Sequence, residues 1–378
     1  MRIVSVVGAR PQFVKLAPIA KAARDAGVEH VIVHTGQHYD PMLSDTFFCD
    51  LGIPTPDVNL NVGSGSHGVQ TGQMLAALDP VLEDYSPNWV LVYGDTNSTL
   101  AAALSAVKMH LPVAHLEAGL RSFNRRMPEE HNRVVVDHVA DLLLAPTSLA
   151  AQNLKAEGLE SSTVIVGDVM VDVLLDVRDK VIGHVSRAKQ SLGLSKDNYY
   201  VATIHRADNT DDPARLSAIL DALGSLDKPS VLLVHPRLAV KATAWGMKIG
   251  RGNLHEHPAL AYPDLVAAVL SSAGVVTDSG GLQKEAFLLR VPCTTVRTET
   301  EWSETVDCGW NVLAHDPGTI PKAVMRPIPP PTDATPYGDG HAAQDVIKAL
   351  AQHSDVSSGG VYGTGRLVSL QPTTHTIE

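Results

Sequence analysis

Short apolar runs alternate with amphipathic stretches at helical spacing along most of this chain, the pattern of parallel sheets covered by helices on both faces. Runs such as RIVSVV (2–7) and NWVLVYGD (88–95) lack the polar alternation of a half-exposed strand, so both of their faces are expected to be covered. In the first half, strands are expected near Arg2 to Val7, His30 to His34, Asp57 to Leu60, Trp89 to Val92, Val113 to Leu116, Leu142 to Ala145 and Val164 to Val166. A long helical stretch, VMVDVLLDVRDKVIGHVSRAKQSLGL (169–194), then separates them from a second series: YYVATIH (199–205), SVLLVHP (230–236), GVVTDSG (274–280) and PCTTVR (292–297). The boundary is placed near residues 168–195, where Gly, Pro and Ser do not accumulate, so a helix rather than a flexible linker joins the halves. The predicted class is α/β, with two Rossmann-like doubly wound lobes, residues 1–170 and 171–337, facing each other across a cleft.

RPIPPPTDATPY (326–337) is too proline-rich for a helix or a central strand and reads as a wrapped connection. Residues 338–355 read as a last amphipathic helix packing back toward the first lobe. A tail, 356–378, rich in Ser, Gly and Thr, is expected to be mobile or held by a partner. The 378 residues, 44% hydrophobic and 19% charged, suffice for two large cores. The first strand is too short and lacks the cleavage site for a signal peptide, and no apolar run approaches membrane-spanning length. The net charge of -11 argues against a nucleic-acid or anionic-membrane partner. Cys49, Cys293 and Cys308 are widely spaced with no CxxC pairing, which fits a reducing compartment, the cytoplasm.

Candidate chemistry gathers at strand ends, where open α/β sheets hold ligands. Asp95 in YGDTNST and Glu117 in HLEAGLRS each follow a buried strand, and Glu129 in MPEEHNR lies in the first turn of a helix opened by Pro128. First-turn acids also favour the helix dipole, a structural reading that fits Glu129 or Glu130 alone. GARPQFVK (8–15) puts Arg10 and Lys15 beside a strand-to-helix turn suited to an anion, although Lys15 reads equally well as a solvated helix residue. TDSGGLQKEA (277–286) offers Ser279, Gly280 and Gly281 to a phosphate and Glu285 to a ribose; a tight turn without ligand is the alternative. TIHRADN (203–209) places His205 where it can bind or protonate a leaving diphosphate. GxGxxG, GxSxG, kinase-like and HExxH patterns are absent, so nicotinamide binding, serine catalysis, phosphoryl transfer and a zincin-type metal site find no support. Acids in one lobe and phosphate and ribose groups in the other fit a nucleotide sugar.

Together GARPQFVK, GQH (36–38), YGDTNST, HLEAGLRS, PEEHNR, GD (167–168), IHRADN, TDSGGLQKE and PYGDG (336–340) resemble, in order from Met1 to about His353, the non-hydrolysing UDP-N-acetylglucosamine 2-epimerases. The resemblance implies the two-lobed glycosyltransferase-B-type fold with an interlobe active-site cleft. It also implies reversible inversion of the sugar at C2, converting UDP-GlcNAc to UDP-ManNAc by UDP elimination through a 2-acetamidoglucal, with no redox cofactor or metal, in a homodimer. It makes Asp95, Glu117 and Glu129 the acid/base carboxylates, sets Arg10, Lys15 and His205 around the diphosphate, and gives phosphate to Ser279 and Gly281 and ribose to Glu285. Arg133 is expected to orient the acids by ion pairing.

Gln12 stands where many members have Glu, Ala207 where many have Arg, and TEW (300–302) where many have TER, so Trp302 removes a polar contact near the substrate. GQHYDPML departs from the segment that helps form an allosteric UDP-GlcNAc pocket in bacterial members, which argues against such activation. GARPQFVK with SFNRRMPEE also resembles the subgroup acting on UDP-2,3-diacetamido-2,3-dideoxyglucuronate, whose carboxylate Arg125 and Arg126 could meet. Readings of other classes are a glycosyltransferase on the same fold and a noncatalytic UDP-sugar sensor.

Overall fold

The computed structural model describes residues 1–37, 54–184 and 198–357. The first half contributes β1 (Arg2–Val7), β2 (Glu29–His34), β3 (Val58–Asn59), β4 (Trp89–Tyr93), β5 (Val113–Leu116), β6 (Leu142–Ala145) and β7 (Thr163–Ile165). They pair in parallel in the order β3-β2-β1-β4-β5-β6-β7. Every residue of β4 and β5 is buried, as strands covered on both faces require. The second half contributes β8 (Tyr200–Thr203), β9 (Ser230–Val234), β10 (Leu254–Pro258), β11 (Gly274–Thr277), β12 (Cys293–Thr295) and β13 (Asn311–Leu313), a parallel sheet ordered β10-β9-β8-β11-β12-β13. The architecture is α/β with two Rossmann-like lobes.

The second sheet has six strands among the described residues where four were expected. The two unforeseen strands, β10 (LHEHP) and β13 (NVL), are the outermost of that sheet. An edge strand covered on few sides needs no continuous apolar run and tolerates His, Glu and a terminal Pro, so the signal that reveals central strands is missing.

Strand order reverses between β1 and β4 in one sheet and between β8 and β11 in the other. At such a switch point, loops leaving the carboxyl ends of neighbouring strands diverge and open a crevice. All four exits carry candidate residues: GARPQ after β1, Asp95 after β4, His205 after β8 and Ser279 after β11.

The crossover helix Val169–Val181 leaves the first sheet, and its Val173, Leu174, Val177 and Val181 join the second lobe's core. Residues 326–337 contain no helix or strand. The last helix, Ala342–Ser357, lies against the helix Arg10–Asp25: Ala343, Val346, Ile347 and Leu350 share one core with Phe13, Leu16 and Ile19. Asp172 of the crossover helix accepts the amides of Ala342 (3.1 Å) and Ala343 (2.8 Å), and the Trp89 indole donates to Leu350 O at 3.0 Å. The tail from 358 onward lies outside the described residues. No helix among those described is long and apolar enough to cross a membrane.

A buried polar chain crosses the first sheet: His30 Nε2 meets Ser5 Oγ at 2.7 Å, and Ser5 Oγ meets Tyr93 Oη at 2.7 Å. Burial holds the His30 imidazole down to about 4 from 6.5, with nearby Asp57 pulling weakly the other way. The native state therefore favours the neutral ring. Its contribution is complete above pH 6.5 and is lost as pH falls toward about 4, up to about 3 kcal/mol in all. Urea unfolding of His30→Phe should show a smaller loss of stability than wild type between about pH 7 and about pH 5. An unchanged difference would assign the acid sensitivity elsewhere.

Candidate active site

The turn leaving β1 is shaped by Gln12. Its Oε1 accepts the amides of Gly8 (2.8 Å) and Ala9 (3.0 Å), while its Nε2 donates to Tyr93 O (2.8 Å) and Thr99 Oγ1 (3.1 Å). A glutamate could not make the two donations, so glutamine ties the β1 turn to the β4 exit by bonds a carboxylate lacks. The helix Arg10–Asp25 starts here. The Arg10 side chain lies outside the described residues. Lys15 points back to the sheet, where its ammonium pairs with Glu117 and both side chains are only 13% exposed. Burial pulls the Lys15 pKa down, but Glu117, then Asp168 and Asp95, outweigh it and hold the amine above its usual range.

Glu117 follows β5 with φ 69, a left-handed conformation that costs a non-glycine residue roughly 1–2 kcal/mol. That strain turns its carboxylate toward the β4 exit. A Cβ on Gly94 (φ 62) would stand 3.1 Å from Glu117 Oε2 and 3.5 Å from Lys15 Nζ, so only glycine suits that place. Asp95, next in sequence, is held by Arg133, whose Nη2 lies 2.5 Å and Nε 3.0 Å from Asp95 Oδ2. Arg133 also donates to Glu130 at 3.0 Å. The adjacent acids of PEEHNR thus divide. Glu130 is buried and accepts the Ser122 amide and hydroxyl and the Phe123 amide; burial would raise its pKa, but these donors and Arg133 hold it below the usual value. Glu129, one helical turn before Arg133, is half-buried and has no hydrogen-bond or ion-pair partner among the described residues.

The helix Pro128–Val139 is the platform that joins these pieces. Asn132 Nδ2 donates to Asp95 O at 2.8 Å, and Asp137 Oδ2 accepts the Gly119 amide at 3.1 Å. Asp137 Oδ1 meets His115 Nδ1 at 2.6 Å, and His115 Nε2 meets Gly94 O at 2.7 Å. One His–Asp pair therefore ties the Gly94 carbonyl, just before Asp95, to the Gly119 amide, two residues beyond Glu117. Arg121 completes the network at 2.7 Å from Asp137 and 2.8 Å from Glu157. His115, Asn132 and Asp137 were not foreseen as site residues. The available signal was spacing: residues 129, 133 and 137 share one helical face, and His115 and Glu117 share one side of a strand line.

In the second lobe, Asp278 organises the β8 exit. It accepts the amides of His205 (3.0 Å) and Arg206 (2.9 Å) and the Asn209 side chain (2.9 Å), and His205 Nδ1 lies 3.2 Å away. Burial lowers the His205 pKa; His235, whose ring centroid is 5.2 Å away, and Arg206 push the same way, and Asp278 only partly offsets them. Ser279 caps the turn helix Gly280–Leu288, its Oγ 3.4 Å from the Leu282 amide. A Cβ on Gly281 would enter open space, whereas one on Gly280 would collide with the Glu301 carboxylate. Glu285 accepts from Tyr262 Oη at 2.9 Å, and burial raises its pKa. No hydrogen bond or ion pair joins His205 to Asp95, Glu117 or Glu129 among the described residues. Trp302 packs its ring under the Lys284 ammonium, 4.3 Å from the centroid, and so takes a packing role where the polar contact was expected to be lost.

A family model described as UDP-N-acetylglucosamine 2-epimerase matches residues 20–351. The chain belongs to the UDP-N-acetylglucosamine 2-epimerase family. It is 44% identical to a UDP-2,3-diacetamido-2,3-dideoxy-D-glucuronate 2-epimerase of Pseudomonas aeruginosa, over 93% of this chain and 100% of that one. It is 43% identical to a UDP-N-acetylglucosamine 2-epimerase homolog of Methanococcus maripaludis, over 93% and 99%. The structure of the UDP-GlcNAc 2-epimerase of Methanocaldococcus jannaschii superposes with a TM-score of 0.83 at 35% identity, covering 93% of this chain and all of the other. A second structure of that protein, in complex with UDP-GlcNAc and UDP, gives 0.77. The resemblance read from the motifs holds, and with it the two-lobed fold. The segment GQHYDPML lies, beyond Gln37, outside the described residues.

Proposed function

We propose that the protein inverts C2 of UDP-N-acetylglucosamine, giving UDP-N-acetylmannosamine without hydrolysis. A carboxylate removes the C2 hydrogen, the electron pair forms the C1–C2 double bond, and the C1–oxygen bond breaks to release UDP beside a bound 2-acetamidoglucal. A carboxylic acid then protonates the opposite face of C2, and a UDP oxygen adds back to C1. Asp95, Glu117 and Glu129 supply the acid and base, and Arg133 orients Asp95. Arg10, Lys15 and His205 stabilise the departing diphosphate, Ser279, Gly280 and Gly281 bind phosphate, and Glu285 receives the ribose hydroxyls. The observation carrying this reading is the Lys15–Glu117 pair at the exit of β4, which sets an acid/base group and a fixed cation side by side. Elimination needs both at once, because charge leaves with UDP as the proton leaves C2. Incubation in deuterated water tests it: the true substrate must gain deuterium at C2. Release of UDP only with an added acceptor would mark a transferase, and binding without exchange a sensor.

A second substrate, UDP-2,3-diacetamido-2,3-dideoxyglucuronate, is favoured by the 44% identity to the Pseudomonas aeruginosa protein named for it. Arg125 and Arg126, exposed just before the platform helix, suit its carboxylate. Side-by-side exchange assays separate the two, and Arg125→Ala with Arg126→Ala should impair only the uronate. The same reading carries a homodimer in the cytoplasm, without nucleic-acid or membrane partners, and light scattering tests the dimer.

A further inference from the structure

Lys284 and Asp168 come from opposite lobes and form an ion pair in which the side chains are 7% and 2% exposed. Lys284 sits in the turn helix Gly280–Leu288, between the Ser279 cap and Glu285. Asp168 caps the crossover helix, accepting the Met170 amide at 2.8 Å. Around the ammonium, the Trp302 and Tyr337 rings stand 4.3 and 5.8 Å from it and meet each other edge to face at 5.5 Å. Tyr337 O accepts the Asp168 amide at 2.9 Å, and a Cβ on Gly338 would come within 3.3 Å of Gly167 Cα. The motifs GD (167–168) and PYGDG (336–340), which the acid/base chemistry leaves unused, thus close around one buried cation.

We propose that Lys284 is a positioning residue whose pair with Asp168 pins the turn helix to the start of the crossover helix, fixing the nucleotide's seat relative to Asp95 and Glu117. The inference rests on the reaction proposed above. Desolvating two charges is costly, and an apolar pair of similar volume is often as stable, so stability alone does not account for an ion pair here. What the pair adds is direction: one ammonium must satisfy a carboxylate on the first lobe while facing two rings on the second. Asp168 also acts electrostatically on Lys15 and on Glu285, so the pin stands between the acid side and the ribose side of the cleft.

The test compares Lys284→Met, Asp168→Asn, the double variant and Lys284→Arg. Steady-state exchange gives kcat and KM, and calorimetry gives the UDP affinity. Interlobe distances come from spin labels at the exposed Leu149 and Val240, one on each lobe, with native cysteines replaced by alanine. The expected result is a loss in kcat of about 100-fold in Lys284→Met, the size a misplacement of about 1 Å produces, with UDP affinity retained. The double variant should lose no more than either single change, the label distances should broaden in all three, and Lys284→Arg should recover most of the rate. A loss of UDP affinity matching the loss of kcat/KM, or additive effects of the two single changes, overturns the pin. The label distances need no turnover, so an inactive wild type whose distances broaden on Lys284→Met would overturn the reaction and leave the pin standing.

Discussion

Glu117→Gln lowers kcat by about 1,000-fold or more while UDP binds almost as in wild type. Glutamine keeps the shape and can hold the same backbone at φ 69, and its carbonyl oxygen still accepts from Lys15. It cannot exchange a proton at neutral pH, and it leaves Lys15 without its nearest negative partner. The UDP contacts proposed for Ser279, Gly281 and Glu285 are on the other lobe and do not involve residue 117. Proton NMR in deuterated water reads the exchange rate, and isothermal calorimetry reads UDP. Turnover within about tenfold of wild type would remove Glu117 from the acid/base set, because positioned proton transfer typically contributes at least about 100-fold.

Asp137→Ala produces the largest loss of stability, about 3–5 kcal/mol, because it strands a buried cation. Arg121 is 1% exposed, and Asp137 and His115 are fully buried, so water cannot replace the missing carboxylate. Burial would raise the Asp137 pKa, but His115 and Arg121 outweigh it and hold the carboxyl below its usual 3.8. A folded-state value below the unfolded one means that this stabilisation is present above about pH 4 and is lost as pH falls through the folded-state value. Urea denaturation near neutral pH measures the deficit. What remains folded should also turn over slowly, since the Gly94 carbonyl and the Gly119 amide lose their common anchor. Asp137→Asn should be milder, keeping an acceptor for one of the donors. A deficit below about 1 kcal/mol in Asp137→Ala would show that Glu157 alone satisfies Arg121.

The central strands β4, β5 and β6 of the first sheet were legible because, buried on both sides, they had to be almost entirely apolar, and the three acids stood out because a charge ending or following such a run needs a reason. First-turn placement alone did not separate Glu129 from Glu130, and only the resemblance singled out Glu129; in the fold, Arg133 and the Ser122–Phe123 loop hold Glu130. The edges β10 and β13 were hidden because an outer strand may be polar. His115 and Asp137 looked like ordinary members of an apolar strand and helix, since their purpose lies in backbone groups they reach across 21 and 18 residues. Lys284 and Asp168, 116 residues apart, carry no local signal, because their partnership exists only when the two lobes meet.

The final helix has a consequence for biosynthesis. Ala343, Val346, Ile347 and Leu350 complete a core that opens with Ile3 and Val7, and Asp172 and Trp89 grip the two ends of the segment that carries them. A nascent chain therefore leaves the ribosome with its earliest lobe unfinished and presents the greasy flank of Phe13, Leu16 and Ile19 until the last stretch emerges. Chaperone engagement should persist through most of translation, and a fragment cut near residue 170 should aggregate rather than fold as an independent unit.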